Sequence, residues 1–375
     1  MTVLLFSQNA TRMSLAPSPC VNCLDRHSLN LSREIETMQD TVIFLRPWMS
    51  ARTFFFTAQA LSWILIITSN IGMVANALVL TTYWKIGFTE SINVSYFALG
   101  ISDIGVLGAS LWGAILNILD FLQVDLPFYP YEISSLTMYW PTEGFEKTTS
   151  CITAYIAFER CLCVLFPLHV KRFMSRKKTT IIVGTIFALV FGPTNLPYVY
   201  YKFEWRIDFR TNKSMLGIIG RSRSPVLFYL LEMLGIYINS VVHFTALIII
   251  WICSAFLAVT LKRNVKERET NFGKESKKFN VSQARNKRVI KTVLMIASAY
   301  LIFSTPKVIL NILSDIYDRH FALGEVYART YMTSIIVGVQ LSLFNSSVNL
   351  FIYVYTSSKF RETIQSLIHS QSPKA

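Results

Sequence analysis

Residues 93–117 read NVSYFALGISDIGVLGASLWGAILN, a run with a single charge, Asp103, near its middle. At 1.5 Å of rise per residue it makes a helix of about 37 Å, long enough to cross the roughly 30 Å hydrocarbon layer of a bilayer. Working outward, the pattern recurs on both sides. Apolar spans are expected at 59–83, 93–117, 138–165, 179–200, 236–261, 290–313 and 331–355. The first and fourth contain no charge. The third has Glu143, Glu146 and Lys147 near its start and Glu159 and Arg160 near its end, and the sixth contains Lys307. Residues 225–234 are also apolar. Joined to the fifth span they would make a helix of about 55 Å, too long for one crossing. The helix is therefore expected to begin near Ile236, with the earlier piece in a loop.

The whole chain of 375 residues is 52% hydrophobic, 14% aromatic and 15% charged. Soluble domains carry about 25% charged residues. The deficit and the long runs exclude a single soluble globule, a disordered chain and a secreted disulfide scaffold. The formal charge of +14 comes from 36 Lys and Arg against 22 Asp and Glu. Its basic clusters lie between apolar runs and show no zinc spacing, so the expected partners are membrane lipids and no nucleic acid. Of six cysteines only Cys20 and Cys23 are spaced Cys-x-x-Cys, which suits at most a local disulfide. Met1 to Phe6 is too short for a secretory signal, so the first span is expected to direct its own insertion.

The fold class that follows is an all-α membrane protein, a seven-transmembrane helix bundle over 59–355, flanked by tails 1–58 and 356–375. With the N-terminus outside, the inner segments hold 20 Lys and Arg and the outer ones 13. That bias puts the N-terminus in the extracellular fluid. The loop 201–224 is basic for an outer segment. Asn9, Asn30 and Asn212 head glycosylation sequons that would face outward. In 358–370, Phe360, Ile364, Leu367 and Ile368 recur at helical spacing beside Lys359 and Arg361, the pattern of an amphipathic helix on the inner leaflet.

A charge within the bilayer costs at least about 2.5–3.5 kcal/mol near its centre, so each must face protein, water or a partner. Asp103 is the clearest case. Asn76, Thr149, Asn345, Ser346 and Asn349 stand at comparable depth on other spans and can share one wet pocket with it.

These residues carry a resemblance. Gly72, Ala75, Asn76 and Val79 in the first span, Leu99 to Asp103 in the second, and Glu159-Arg160-Cys161 followed by Pro167-Leu168 keep a fixed order. So do Phe303 to Pro306 in the sixth span and Asn345-Ser346-Ser347-Val348-Asn349-Leu350-Phe351-Ile352-Tyr353 in the seventh. The chain resembles a rhodopsin-like G-protein-coupled receptor over about 59–368. The resemblance implies a receptor and not an enzyme, with a heterotrimeric G protein as intracellular partner and an extracellular small molecule or peptide as ligand. It implies that Arg160 is the switch cation held by Glu159 at rest, that Tyr353 turns inward on activation, and that Asn76, Asp103, Asn349 and Pro306 belong to the same switch. No cofactor is expected beyond an allosteric Na⁺, with Asp103, Thr149 and Asn345 as candidate ligands.

The departures are specific. Ser135 stands where the family has its disulfide cysteine, Ser304 replaces the sixth-helix tryptophan, and Leu350 replaces the seventh-helix proline. Among known branches such losses look most like gastropod chemosensory receptors. A retinal pigment is disfavoured because the seventh span has no lysine, and amines are disfavoured because Thr142 stands at the family's aspartate position. Glu143, Glu146 and Lys307 are the candidate ligand-binding residues. Glu146 and Lys307 are expected to form a charge pair that a polar or zwitterionic ligand engages, because either one buried alone is costly. A neuropeptide receptor of the same fold is the alternative within the family. A transporter or channel is the alternative outside it, disfavoured because the halves show no repeat.

Overall fold

A computed structural model describes residues 49–166, 174–194, 198–199, 201–208, 212–220, 225–270, 277–316 and 328–370. The side chains of 225–239, 264–286, 311, 314–316, 328 and 368–370 are outside this description. So are Asn9, Asn30, Cys20, Cys23, Pro167 and Leu168.

Helix α1, Ala51–Ile86, starts where the Ser50 hydroxyl accepts the Thr53 N–H at 3.0 Å. It stops at Gly87, whose positive φ of 84° turns the chain while its N–H still bonds the Tyr83 carbonyl. Helix α2, Ser91–Phe121, follows directly. Helix α3 runs over Pro130–Leu165 with a π turn at Ser135–Tyr139. The π turn immediately precedes Trp140 and Pro141. Proline offers no N–H to the preceding turn and crowds its carbonyls, which accounts for the widening there. The third span was expected from 138, and Pro130 at the first helical turn moves its start back by two turns.

Helix α4 is Arg176–Thr194. Strands β1, Tyr201–Asp208, and β2, Lys213–Gly220, form an antiparallel hairpin where a loop was expected. Helix α5 is Pro225–Thr270, so the loop expected before Ile236 is part of the helix. Pro225 favours a helix start, and no proline interrupts the chain after it. Helix α6 is Lys277–Ile316 with Pro306 inside, α7 is Ala328–Thr356, and α8 is Ser358–Ser370.

Six of the described helices are long and apolar enough to cross a membrane: α1, α2, α3, Ser240–Arg263 of α5, Lys287–Leu310 of α6 and Arg329–Thr356 of α7. Helix α4 lies where the fourth span is expected, opens with Arg176, Lys177 and Lys178, and is not among them. The exterior differs from that of a soluble bundle. Ile71 is 59% and Val74 64% exposed on α1, and Trp251, Ile252 and Val259 are exposed on α5. Inside lie Ser69, Asn76, Ser102, Asp103, Thr149 and Ser346, all buried. An apolar exterior around an interior that mixes apolar packing with buried polar groups suits lipid as solvent. The chain is a multi-pass membrane protein built as an α-helical bundle.

Two packed zones hold the ends. Near Arg160, Tyr83 of α1, Tyr96 of α2, Tyr353 of α7 and Phe360 of α8 share one aromatic cluster, with Tyr96 and Tyr353 centroids 4.9 Å apart. At the other end, Leu116, Ile133, Leu136 and Trp140 pack against Ile218 of the hairpin. Main chain ties the hairpin down too. The Tyr129 N–H donates to the Leu216 carbonyl at 3.0 Å, and the Leu216 N–H to the Pro127 carbonyl at 2.9 Å. Glu132 then accepts Arg206 at 2.6 Å and the Ile218 N–H at 2.7 Å. A side chain at Gly217 would meet the ends of Arg206 and Glu132, so glycine leaves the room in which this clasp closes.

Candidate functional site

Glu143, Glu146 and Lys147 occupy one turn and a fraction of α3, so their side chains crowd one sector of the helix. Lys147 Nζ meets Glu143 Oε2 at 2.7 Å, the i, i+4 pair that the spacing permits. Lys307 on α6, one residue past Pro306, reaches across to Glu143 Oε1 at 2.9 Å and also to Glu146 Oε2. All four side chains are buried. The expected Glu146–Lys307 pair is thus part of a tetrad with two carboxylates and two ammonium groups. Glu146 Oε1 has no hydrogen-bond partner among the described residues. Gly338 of α7 lies against the Lys307 stem, where an added Cβ would stand 3.1 Å from Lys307 Cβ. Glycine there lets the two helices approach.

Below the tetrad, Ser150 donates to the Glu146 carbonyl at 2.8 Å, an α-helical back-bond. Its oxygen also stands 2.5 Å from the Tyr300 hydroxyl, which is 2.8 Å from His243 Nε2. That chain joins α3, α6 and α5. Neither Ser150 nor Tyr300 carried a signal in the sequence, because nothing in a serine or tyrosine on an apolar span separates a partner from filler. A cavity of about 10 Å³, room for one water, is bounded here by Glu146, Ser150, Tyr300, Ser304, Asn345 and Ser346.

Deeper still is Asp103, fully buried on α2. Thr149 of α3 donates to its Oδ1 at 3.2 Å, and Asn349 of α7 donates to its Oδ2 at 2.7 Å. Ser102 stands 2.9 Å from Thr149. Asn76 of α1 donates to the Ser346 carbonyl of α7 at 2.7 Å and to its own Gly72 carbonyl at 3.0 Å. Four helices are therefore joined through two side-chain amides, one hydroxyl and one carboxylate. Among the described residues, no three His, Cys, Asp or Glu side chains come together as a metal-binding group. Asn345 borders the cavity beside this network.

Near the opposite end of α3, Glu159 is fully buried. Its Oε1 accepts the Ser91 hydroxyl at 2.5 Å and lies 3.2 Å from Arg160 Nη2, while Oε2 has no partner among the described residues. Tyr353 is buried in the aromatic cluster with its hydroxyl also unpartnered there. Arg361 of α8 donates to the Val354 carbonyl at the end of α7, and Lys85 of α1 donates to Ser366. Asn212 is exposed in the hairpin turn at φ 53°.

Comparison with known proteins agrees with this architecture. Residues 145–353 match the family described as 7 transmembrane receptor (rhodopsin family). The chain is 26% identical to the mouse proto-oncogene Mas over 310 residues, which cover 81% of this chain and 80% of that protein. The human proto-oncogene Mas is 24% identical over the same length and coverage. The mouse Mas-related G-protein coupled receptor member X1 is 29% identical over 134 residues, 35% of this chain and 39% of its own.

Proposed function

Since the chain belongs to the rhodopsin family of seven-transmembrane receptors, we propose that it lies in the plasma membrane with its N-terminus outside, binds an extracellular ligand and activates a heterotrimeric G protein. It is a signalling receptor and not an enzyme. In this reading α4 is the remaining span, the hairpin end faces outward, the Asn212 turn is open to glycosylation, and α8 lies on the inner leaflet with Phe360 and Ile364 toward the bundle.

The observation that carries the reading is the Glu159–Arg160 pair. A buried carboxylate holds an arginine at the end of the bundle opposite the tetrad, and the arginine side chain is 15% exposed. Such a cation can exchange one partner for another, which gives two states of the bundle separated by a few kcal/mol. An agonist that favours the open state shifts the population. Moving the ratio from 1:99 to 99:1 takes about 5.5 kcal/mol of differential affinity. Tyr353 would then leave its ring cluster for the opened end, and Pro306 provides the weak point at which α6 bends.

The ligand side of the proposal is the tetrad. A polar or zwitterionic chemosensory cue would engage Glu143, Glu146 and Lys307, because its charges can replace those it separates. The chemosensory reading rests on departures from the family pattern, among them Ser135, Ser304 and Leu350, together with the retained Glu159-Arg160-Cys161. Thr149 and Asn345 border a cavity the size of one water, and the Asp103 carboxylate, which accepts the Thr149 hydroxyl, adds its charge behind them. That donor set suits a hard monovalent cation, so these residues would hold Na⁺, whose charge would steady the resting bundle.

The test is nucleotide exchange on purified G proteins in membranes of cells expressing equal surface amounts of each variant. Glu159→Gln is expected to raise ligand-free exchange and Arg160→Ala to abolish it. Unchanged exchange in both would refute the reading, as would staining of a C-terminal tag on intact cells.

A further inference from the structure

The shortest contact of the Glu159 carboxylate is with Ser91, at 2.5 Å, and Arg160 is the more distant partner at 3.2 Å. Both use the same oxygen, Oε1. Ser91 is the first residue of α2, so the carboxylate also meets the positive end of that helix's dipole. Glu159 therefore has a second source of stabilisation, on a different helix, which does not depend on Arg160.

We infer that Ser91 is a positioning residue of the switch, the group that keeps Glu159 hydrogen-bonded when Arg160 departs. The inference rests on the receptor reading above. Its logic is a difference between states. At rest Glu159 has two partners. Once Arg160 has swung away, Ser91 is the one remaining among those described, because Oε2 already has none. Removing the hydroxyl takes one of two partners from the resting state and the last partner from the active one. A buried carboxylate without a partner is far costlier than one with a single partner. Ser91 thus favours the active state, although in the resting structure it looks like an ordinary contact between α2 and α3.

The expected size follows from a hydrogen bond to a charged group, roughly a tenfold to hundredfold change in the two-state ratio. Apparent affinity for a G protein scales with the fraction of receptor in the competent state, so it reads this ratio without a ligand. The experiment titrates purified full-length receptor in lipid nanodiscs with nucleotide-free G proteins of each main class. Four receptors are compared with the unaltered one: Ser91→Ala, Ser91→Thr, Glu159→Gln, and Ser91→Ala together with Glu159→Gln. Ser91→Ala is expected to weaken binding tenfold to hundredfold, and Ser91→Thr to retain it because the hydroxyl survives. In the Glu159→Gln background, Ser91→Ala is expected to change affinity less than threefold, since no carboxylate remains to be stranded. A general packing defect would instead lower affinity equally in both backgrounds. Equal or tighter binding by Ser91→Ala alone overturns the inference, and so does an undiminished loss in the Glu159→Gln background. If neither the unaltered receptor nor Glu159→Gln binds any G protein, the receptor reading falls and the inference falls with it.

Discussion

Replacing Lys307 with methionine should be among the most damaging single changes at the hairpin end of the bundle, and replacing Glu146 with glutamine alongside it should repair most of the damage. Lys307 is 2% exposed and serves two carboxylates. In Lys307→Met, Glu143 keeps Lys147 at 2.7 Å. Glu146 keeps no hydrogen bond or direct ion pair among the described residues, since its other oxygen is already unpartnered. Removing one partner of a buried ion pair costs about 3–5 kcal/mol. Glu146→Gln alone is milder, because Lys307 retains Glu143 at 2.9 Å. A loss of about 1.5–3 kcal/mol is expected, the scale of one charged hydrogen bond. The double variant strands no charge, and replacing a buried ion pair with well-packed neutral groups is often close to neutral. It should sit within about 2 kcal/mol of the unaltered protein, leaving a coupling of at least about 2 kcal/mol between the two sites.

The buried free cysteines Cys161 and Cys253 supply the assay. A thiol-reactive fluorophore labels them as the bundle opens in mixed detergent micelles, and the denaturant midpoint gives the free energy for each of the four proteins. A Lys307→Met loss below about 1 kcal/mol refutes the reasoning. So does simple additivity of the two single losses, since it would mean that Glu146 and Lys307 do not sense each other.

Three further outcomes follow from the geometry. In Gly105→Ala the new Cβ would stand 2.4 Å from the Phe145 ring, which is itself packed on Phe191 at 4.7 Å, so unfolding in the same assay should come about 1–3 kcal/mol sooner. Gly108→Ala has nothing within 4 Å of its new carbon and should be neutral or stabilising by up to about 1 kcal/mol. Glu132→Ala removes the acceptor for both Arg206 and the Ile218 N–H, so hydrogen exchange at β2 amides should quicken roughly tenfold or more, whereas Glu204→Ala, which breaks only an exposed pair with Lys202, should leave exchange unchanged.

What the sequence could announce follows from the range over which each interaction acts. The apolar runs are local, and the cost of charge in lipid is absolute, so Asp103, Glu146 and Lys307 draw attention without any knowledge of their neighbours. Glu143 and Lys147 are separated by four residues on a helix, a spacing that could have placed them in the same cluster. The hairpin had a legible signal as well. Tyr201, Phe203, Trp205 and Ile207 alternate strictly with Lys202, Glu204, Arg206 and Asp208, the period of a strand. The position of the stretch between two apolar spans favours a loop, but this alternation marks the strand that β1 forms. Ser91 is of a different kind. It is an ordinary serine after a short turn, 68 positions from its partner, and its importance arises only when α2 and α3 pack. The same holds for Ser150, Tyr300 and His243, which meet across three helices. Motif residues can be named in advance because they recur at fixed spacings along one span. The groups they bond to sit opposite them on neighbouring helices, where chain order carries no trace of the pairing.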